Sequence, residues 1–287
     1  MDIIIIGLVR GALYSLVAVG FVLVFSVGGI LNLAHGTFYM LGAYFTFIFY
    51  SLVFHSAKGS VLIFSLILAV LSVTALACLI FHFLLRRKIE SLVYTMVITL
   101  ALALFVSEIM SLIFGVSGTS VPSLIEGSVS ISGIKIIKHQ LIFLPITAII
   151  LPLLWLFLKR TKIGQSIDAV SQNRIGSLLM GVDVEKATLI TSGLSAALAA
   201  LAGALVAPVS SVVPEMWLFP LIKAFAIAIL GGMGSLPGSI IASFLLGYAE
   251  VITSFLIDEQ LTEMVSLAVI VFVLIFKPAG ILGYKTS

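Results

Sequence analysis

Residues 31–44 read LNLAHGTFYMLGAY and lie inside an otherwise apolar stretch. A simple membrane anchor would run through this point without polar groups. Here Asn32, His35 and Gly36 interrupt it with an amide, an imidazole and a helix-weakening glycine. Backbone groups freed by such a break must be satisfied inside protein or line a watery path, because hydrocarbon offers them no partner. That requirement makes this segment part of a bundle rather than a lone anchor. The plainer reading is a tight turn, with Asn32 in a cap-like conformation and Thr37 opening the next helix.

Outward from this stretch the whole chain is apolar. Of 287 residues, 61% are hydrophobic and 9% charged, against about 45–50% and about 25% in soluble domains. Too little polar surface exists to face water, so the chain reads as an integral membrane protein in a lipid bilayer. Candidate spans fall at 8–30, 37–54, 61–85, 93–115, 140–158, 188–207, 238–256 and 264–276, with a shorter apolar piece at 218–230. The expected fold is all-α, a polytopic bundle of about eight or nine transmembrane helices with interrupted segments, since about 20 apolar residues cross the hydrocarbon core. The runs are continuous rather than alternating, which argues against a barrel. One transmembrane domain covers 1–287. The opening MDIIIIGLVRGALYS lacks a basic n-region and is too long for a cleavable h-region, so it reads as the first span.

Several function classes drop out. The single cysteine, Cys78, allows no disulfide framework. Histidines at 35, 55, 82 and 139 show no metal-ligand spacing. There is no phosphate loop and no Ser-His-Asp, H-E-x-x-H or G-x-S-x-G arrangement. The chain therefore reads as no enzyme and as needing no cofactor. A net charge of +3 without a basic patch and interleaved aromatics excludes nucleic acid as a partner.

Basic clusters orient the bundle. They are RRK at 86–88, KRTK at 159–162 with Arg174, and Lys277 with Lys285 in the tail. Placing them in the cytoplasm puts the C-terminus inside and the N-terminus outside. Asp258, Glu259 and Glu263 then lie outside, and Lys135 and Lys138 run against the rule. Residues 116–139 become an ordered external loop whose alternating Val, Ile and Ser suggest a short hairpin.

Residues 159–187 form the long cytoplasmic segment. Ile167, Val170, Ile175 and Leu178 recur near helical spacing, with Asp168, Gln172, Asn173 and Arg174 on other faces and Gly164 and Gly181 at the ends. This is expected to be one short amphipathic helix, lying on lipid headgroups or docking a cytoplasmic partner. Modest basicity and the lack of Trp or Phe on its stripe favour docking.

A second break occurs at 231–238, GGMGSLPG, where Gly231, Gly232, Gly234 and Ser235 interrupt a long apolar stretch. It is either an interfacial turn or, paired with 31–36, a pointer to a transport path. Arg10, Glu108, Lys223 and Glu250 fall within spans, in the outer half on this topology. Charges there pair or face water, and Lys223 with Glu250 or Glu108 would make a packing ion pair. Proton relay fits less well, because a fixed pair holds its charges.

Three stretches carry a family likeness. Gly7, Gly11, Tyr14 and Leu16, then Asn32, His35, Gly36, Met40, Gly42, Ala43 and Tyr44, resemble the opening of LivH-like permease subunits of ABC importers for branched-chain amino acids. GQSIDAVSQNRIGSLLMGVDVEKA resembles that family's coupling loop, and KAFAIAILGGMGSLPGSIIASFLLGYAE resembles its Lys-x-Phe signature and following glutamate. Before Asp168 the chain reads QSI where relatives often carry an arginine–alanine pair. The resemblance implies a translocating subunit of the bacterial inner membrane with no ATP site of its own. It implies a second homologous permease, two cytoplasmic ABC ATPases and an external solute-binding protein. It implies leucine, isoleucine or valine as the small-molecule substrate, with urea or short amides as the alternative. On this reading the path is lined by Asn32, His35, Gly36, Tyr44, Gly231, Gly232, Gly234 and Ser235. The rivals are a secondary transporter working alone and a membrane scaffold.

Overall fold

A backbone in lipid must satisfy its own hydrogen bonds, and the apolar runs do so as helices. The computed structural model describes residues 2–29, 31–53, 59–86, 91–125, 127–131, 134–258, 261–277 and 279–283. In chain order the helices are α1 (Asp2–Gly28), α2 (His35–Phe47), α3 (Gly59–Ile80), α4 (Leu92–Phe114), α5 (Phe143–Arg160), α6 (Lys162–Gln172), α7 (Arg174–Leu179), α8 (Val184–Val206), α9 (Leu218–Gly231), α10 (Leu236–Leu256) and α11 (Thr262–Phe276). π-Helical turns prolong α2 over Ile48–Val53 and α3 over Phe81–Leu85. Each expected span falls on a helix, and among the described residues 6 helices are long and apolar enough to cross a membrane. His55, Lys88, Glu259 and Lys285 lie outside the described residues.

Contacts define two faces. On the basic face the end of α1 (Leu23, Val27) packs with Ile167 and Val170 of α6 and Val184 of α8. Arg86 pairs there with Glu185, and Lys159 with Asp168 at 2.8 Å. On the hairpin face β1 (Ser128–Ile131) and β2 (Ile134–Ile137) pair antiparallel, Ser128 opposite Ile137. The expected hairpin in the 116–139 loop is therefore present. Thr119 bridges to Val212 beside it, and the Tyr248 hydroxyl donates to the Ile4 carbonyl at 3.2 Å. α1 thus runs from the hairpin face to the basic face.

Small residues let the central helices touch. A Cβ on Gly7 would meet the Tyr248 ring at 2.3 Å, and one on Gly11 the Phe244 ring at 2.4 Å, so α10 lies antiparallel along α1. Where α2 crosses α8, a Cβ on Gly203 would lie 1.8 Å from the Tyr39 carbonyl oxygen. α1, α2 and α8 form the buried centre, while α4 turns Val97, Leu104, Phe105 and Leu112 outward.

α9 has 14 residues, about 21 Å at 1.5 Å per residue and short of the roughly 30 Å core. Non-helical chain dipping from the hairpin face supplies the rest. There the Pro214 carbonyl accepts from Ser107 Oγ of α4 (2.7 Å), and Trp217 lies against Gly36. α2 also begins inside the bundle, with Leu33 N–H donating to Thr99 Oγ1 of α4 (3.2 Å). The break at 31–36 therefore meets the dip before α9, and the glycine-rich 231–238 lies apart from both. That turn sits at the basic face, where Ile281 and Leu282 N–H donate to the Leu230 and Gly231 carbonyls at 2.8 and 3.0 Å.

The 159–187 segment also departs from expectation. It is two helices, not one, because Asn173 adopts an extended conformation and caps α7 by accepting from Gly176 N–H at 2.8 Å. Ile167 and Val170 turn inward, while Ile175 and Leu178 of α7 are 73% and 63% exposed. The stripe read from the sequence is split between an anchor and a tip.

Candidate functional site

Four turns into α1, on the face toward α9 and α10, polar side chains converge. Glu250 of α10 is fully buried. Its Oε2 accepts from the Tyr14 hydroxyl and from Lys223 Nζ of α9 at 3.1 Å, and its Oε1 accepts from Ser266 Oγ of α11 at 2.9 Å. Lys223 Nζ also donates to the Tyr14 hydroxyl at 2.7 Å. The Arg10 guanidinium stands 3.8 Å from Oε2. Glu250 thus gathers four elements about one carboxylate, with its donors close enough to offset much of the cost of burial.

These groups floor a cavity. A space of about 870 Å³ opens at the hairpin face, rimmed by Gln140, Phe255 and Glu263 and floored by Arg10, Tyr14 and Lys223. A smaller cavity of about 270 Å³ shares Leu13, Tyr14, Ser210 and Lys223 and continues down to Val17, Tyr39 and Ile227. Mixed polar and apolar walls around few fixed charges suit a small amphiphilic solute.

The residues assigned to the path by sequence lie elsewhere. His35 is fully buried, with Nε2 2.8 Å from the Val17 carbonyl and Nδ1 3.2 Å from Ser195 Oγ. A carbonyl only accepts, so Nε2 carries the proton and Nδ1 accepts from Ser195. Both ring nitrogens are used, and His35 acts as a latch of α2 onto α1 and α8. Asn32 Oδ1 accepts from Ala34 N–H at 3.1 Å, which satisfies the break locally. A Cβ on Gly36 would lie 2.0 Å from the Trp217 carbonyl oxygen. Tyr44 stacks on Phe114, centroids 5.0 Å apart.

The turn at 231–238 is likewise packed away from both cavities. Gly232 and Gly234 have φ of 99° and 90°, a region that favours glycine, and Ser235 Oγ accepts from Gly238 N–H at 3.2 Å to cap α10. Gly231 and Gly238 are in backbone contact.

Of the charges noted within spans, Arg10, Lys223 and Glu250 come together. Glu108 does not: it is exposed on α4 and has no ion pair among the described residues. Tyr14, Ser266, Tyr39 and Ser210 were not read as site residues. The sequence carries two signals for Tyr14: it follows Arg10 by four residues and so shares its helix face, and it belongs to the Gly7, Gly11, Tyr14 and Leu16 likeness.

On the basic face, α6 and α7 make a compact unit capped at Thr161 and Asn173. Its tip shows Ile175, Leu178, Leu179 and Met180, the last 85% exposed. Asp168 is held by Lys159, and Gly181 turns the chain with φ of 80°.

Known proteins share this chain's pattern along nearly its full length. The profile of the family described as branched-chain amino acid transport system, permease component, matches residues 3–274. The high-affinity branched-chain amino acid transport system permease protein BraD of Pseudomonas aeruginosa is 28% identical, covering 96% of this chain and 94% of its own. LivH of Salmonella typhimurium, described in the same words, is 29% identical over 96% and 93%. A solved structure, PsaBC from Streptococcus pneumoniae in complex with Fab, superposes with a TM-score of 0.52 over 97% of this chain and 93% of that one. At 12% identity it shows a common fold.

Proposed function

This chain belongs to the family of branched-chain amino acid transport permease components, and from that premise we propose that it is the membrane-spanning subunit of an ATP-driven importer of leucine, isoleucine and valine. A second homologous permease, two cytoplasmic ABC ATPases and an external solute-binding protein complete the machine. The basic face is cytoplasmic by the excess of Lys and Arg near its span ends, so the C-terminus is inside, the N-terminus is outside and the cavity opens outward. The membrane is the bacterial inner membrane.

The observation that carries this reading is the α6–α7 unit. A tip of large exposed apolar side chains on a membrane protein's polar face marks a protein contact. Ile167 and Val170 of α6 anchor the unit that carries the tip against Leu23 and Val27 of α1. α1 is one continuous helix of 27 residues, and its other half carries Arg10 and Tyr14 at the cavity floor. Movement of docked ATPases at the tip is thereby delivered to the cavity, biasing the bundle between outward- and inward-open states. Asn32, His35 and Gly36 serve the path by seating the start of α2 rather than by touching solute.

The test is purification of the tagged chain from its host in gentle detergent, with mass spectrometry of what accompanies it. An ATPase and a second apolar permease are expected, the ATPase lost when Ile175 and Leu178 are both replaced by Asp. A chain that purifies alone, unchanged by those substitutions, would overturn the reading in favour of a stand-alone transporter.

A further inference from the structure

Arg10 has five N–H donors, yet its one close anion among the described residues, Glu250 Oε2, stands at 3.8 Å, outside hydrogen-bond reach. Glu250 is already supplied by Tyr14, Lys223 and Ser266. The Arg10 side chain is 32% exposed and faces the larger cavity. A guanidinium at this depth is costly unless it faces water or a partner, and its planar fork matches a carboxylate. Arg10 and Lys223 together bring two positive charges to one buried carboxylate, leaving the cavity floor one positive charge in excess.

Adjoining that floor lies the smaller cavity of about 270 Å³, walled by Leu13, Val17, Phe219 and Ile227. Charge and apolar space are thus adjacent at Tyr14 and Lys223, which line both cavities.

Resting on the permease reading above, we propose that Arg10, with Lys223 beside it, binds the carboxylate of the solute in transit while its aliphatic side chain fills the smaller cavity. The ammonium remains in the wider cavity, where Ser210 and Glu263 offer acceptors. The site selects aliphatic α-amino acids over urea and short amides, which carry neither the negative charge nor the branch.

The test uses the complete importer in detergent, without its binding protein. Ser211 lines the smaller cavity; a Ser211→Cys reporter in a Cys78→Ala background is labelled with a small thiol reagent. Millimolar leucine is expected to slow labelling several-fold, and leucinol, which lacks the carboxylate, to leave it unchanged. Arg10→Gln abolishes the protection and Arg10→Lys restores part of it. Equal protection by leucine and leucinol, no protection by leucine, or protection that survives Arg10→Gln would each overturn the proposal. Leucine uptake by the same assembly, measured alongside, separates two failures. Uptake without the labelling pattern removes the carboxylate site alone, whereas no uptake of leucine removes the permease reading and this site with it.

Discussion

Replacing Lys223 by Met tests how the charge cluster is held. Glu250 would remain fully buried with the hydroxyls of Tyr14 and Ser266 but without the ammonium now 3.1 Å away. Removing one partner from a buried pair costs about 3–5 kcal/mol. Arg10 needs to close about 1 Å, from 3.8 Å to ordinary hydrogen-bond distance, and the charged hydrogen bond gained returns about 1.5–3 kcal/mol. The net loss for Lys223→Met is then about 2 kcal/mol, a Tm lower by about 3 °C for a chain of 287 residues at about 2.1 cal/mol/K of unfolding entropy per residue. Adding Arg10→Gln removes the rescue and brings the loss to the full 3–5 kcal/mol. Adding Glu250→Gln instead removes the stranded charge and recovers most of the Tm, since a pair deleted together is often close to neutral. Thermal unfolding of these three variants and of Arg10→Gln alone, in one detergent, reads this directly. Simple additivity of Lys223→Met and Arg10→Gln, or no recovery with Glu250→Gln, would refute the reasoning.

Other outcomes follow from the packing and the caps. Gly203→Ala places a methyl 1.8 Å from the Tyr39 carbonyl oxygen, so α2 and α8 must part; a loss of about 1–3 kcal/mol is expected in thermal unfolding. His35→Leu takes the second hydrogen bond from the Val17 carbonyl and the acceptor from the Ser195 hydroxyl and is expected to cost about 1–3 kcal/mol; parental stability with His35→Leu would contradict the latch. Asn173→Ala removes the α7 cap, with an expected cost of about 0.5–2 kcal/mol read as faster amide exchange confined to α7. Glu108→Gln, on the exposed face of α4, is expected to leave leucine uptake unchanged.

The spans were legible because crossing hydrocarbon demands a length and an apolarity that nine stretches of this sequence meet wholly or in part. The split of the 159–187 segment was legible in principle, since Asn173 is a favoured cap residue; its place between two stretches of one apparent period hid that role. The partner of the 31–36 break was not legible. It depends on Gly36 meeting Trp217 across the bundle, and no local pattern encodes which breaks touch. Glycines at 231–238 read as a path because hydrocarbon forbids bare backbone, but the chain end covers them instead. Lys223 and Glu250 stand out by depth and opposite charge, and the pair the sequence offers forms at 3.1 Å, with Glu108 left out of it. Their convergence with Arg10 and Tyr14 arises from the antiparallel seating of α10 on α1 through Gly7, Gly11 and Gly247.

ATP-dependent uptake of leucine is the most direct measurement. Proteoliposomes holding this chain, its partner permease and both ATPases would be given external binding protein and radiolabelled leucine, with ATP or a non-hydrolysable analogue inside. Accumulation is expected with ATP alone, lost with the analogue and lost when Ile175 and Leu178 of the tip are both Asp. Accumulation driven by an ion gradient in vesicles holding this chain alone would contradict the permease reading.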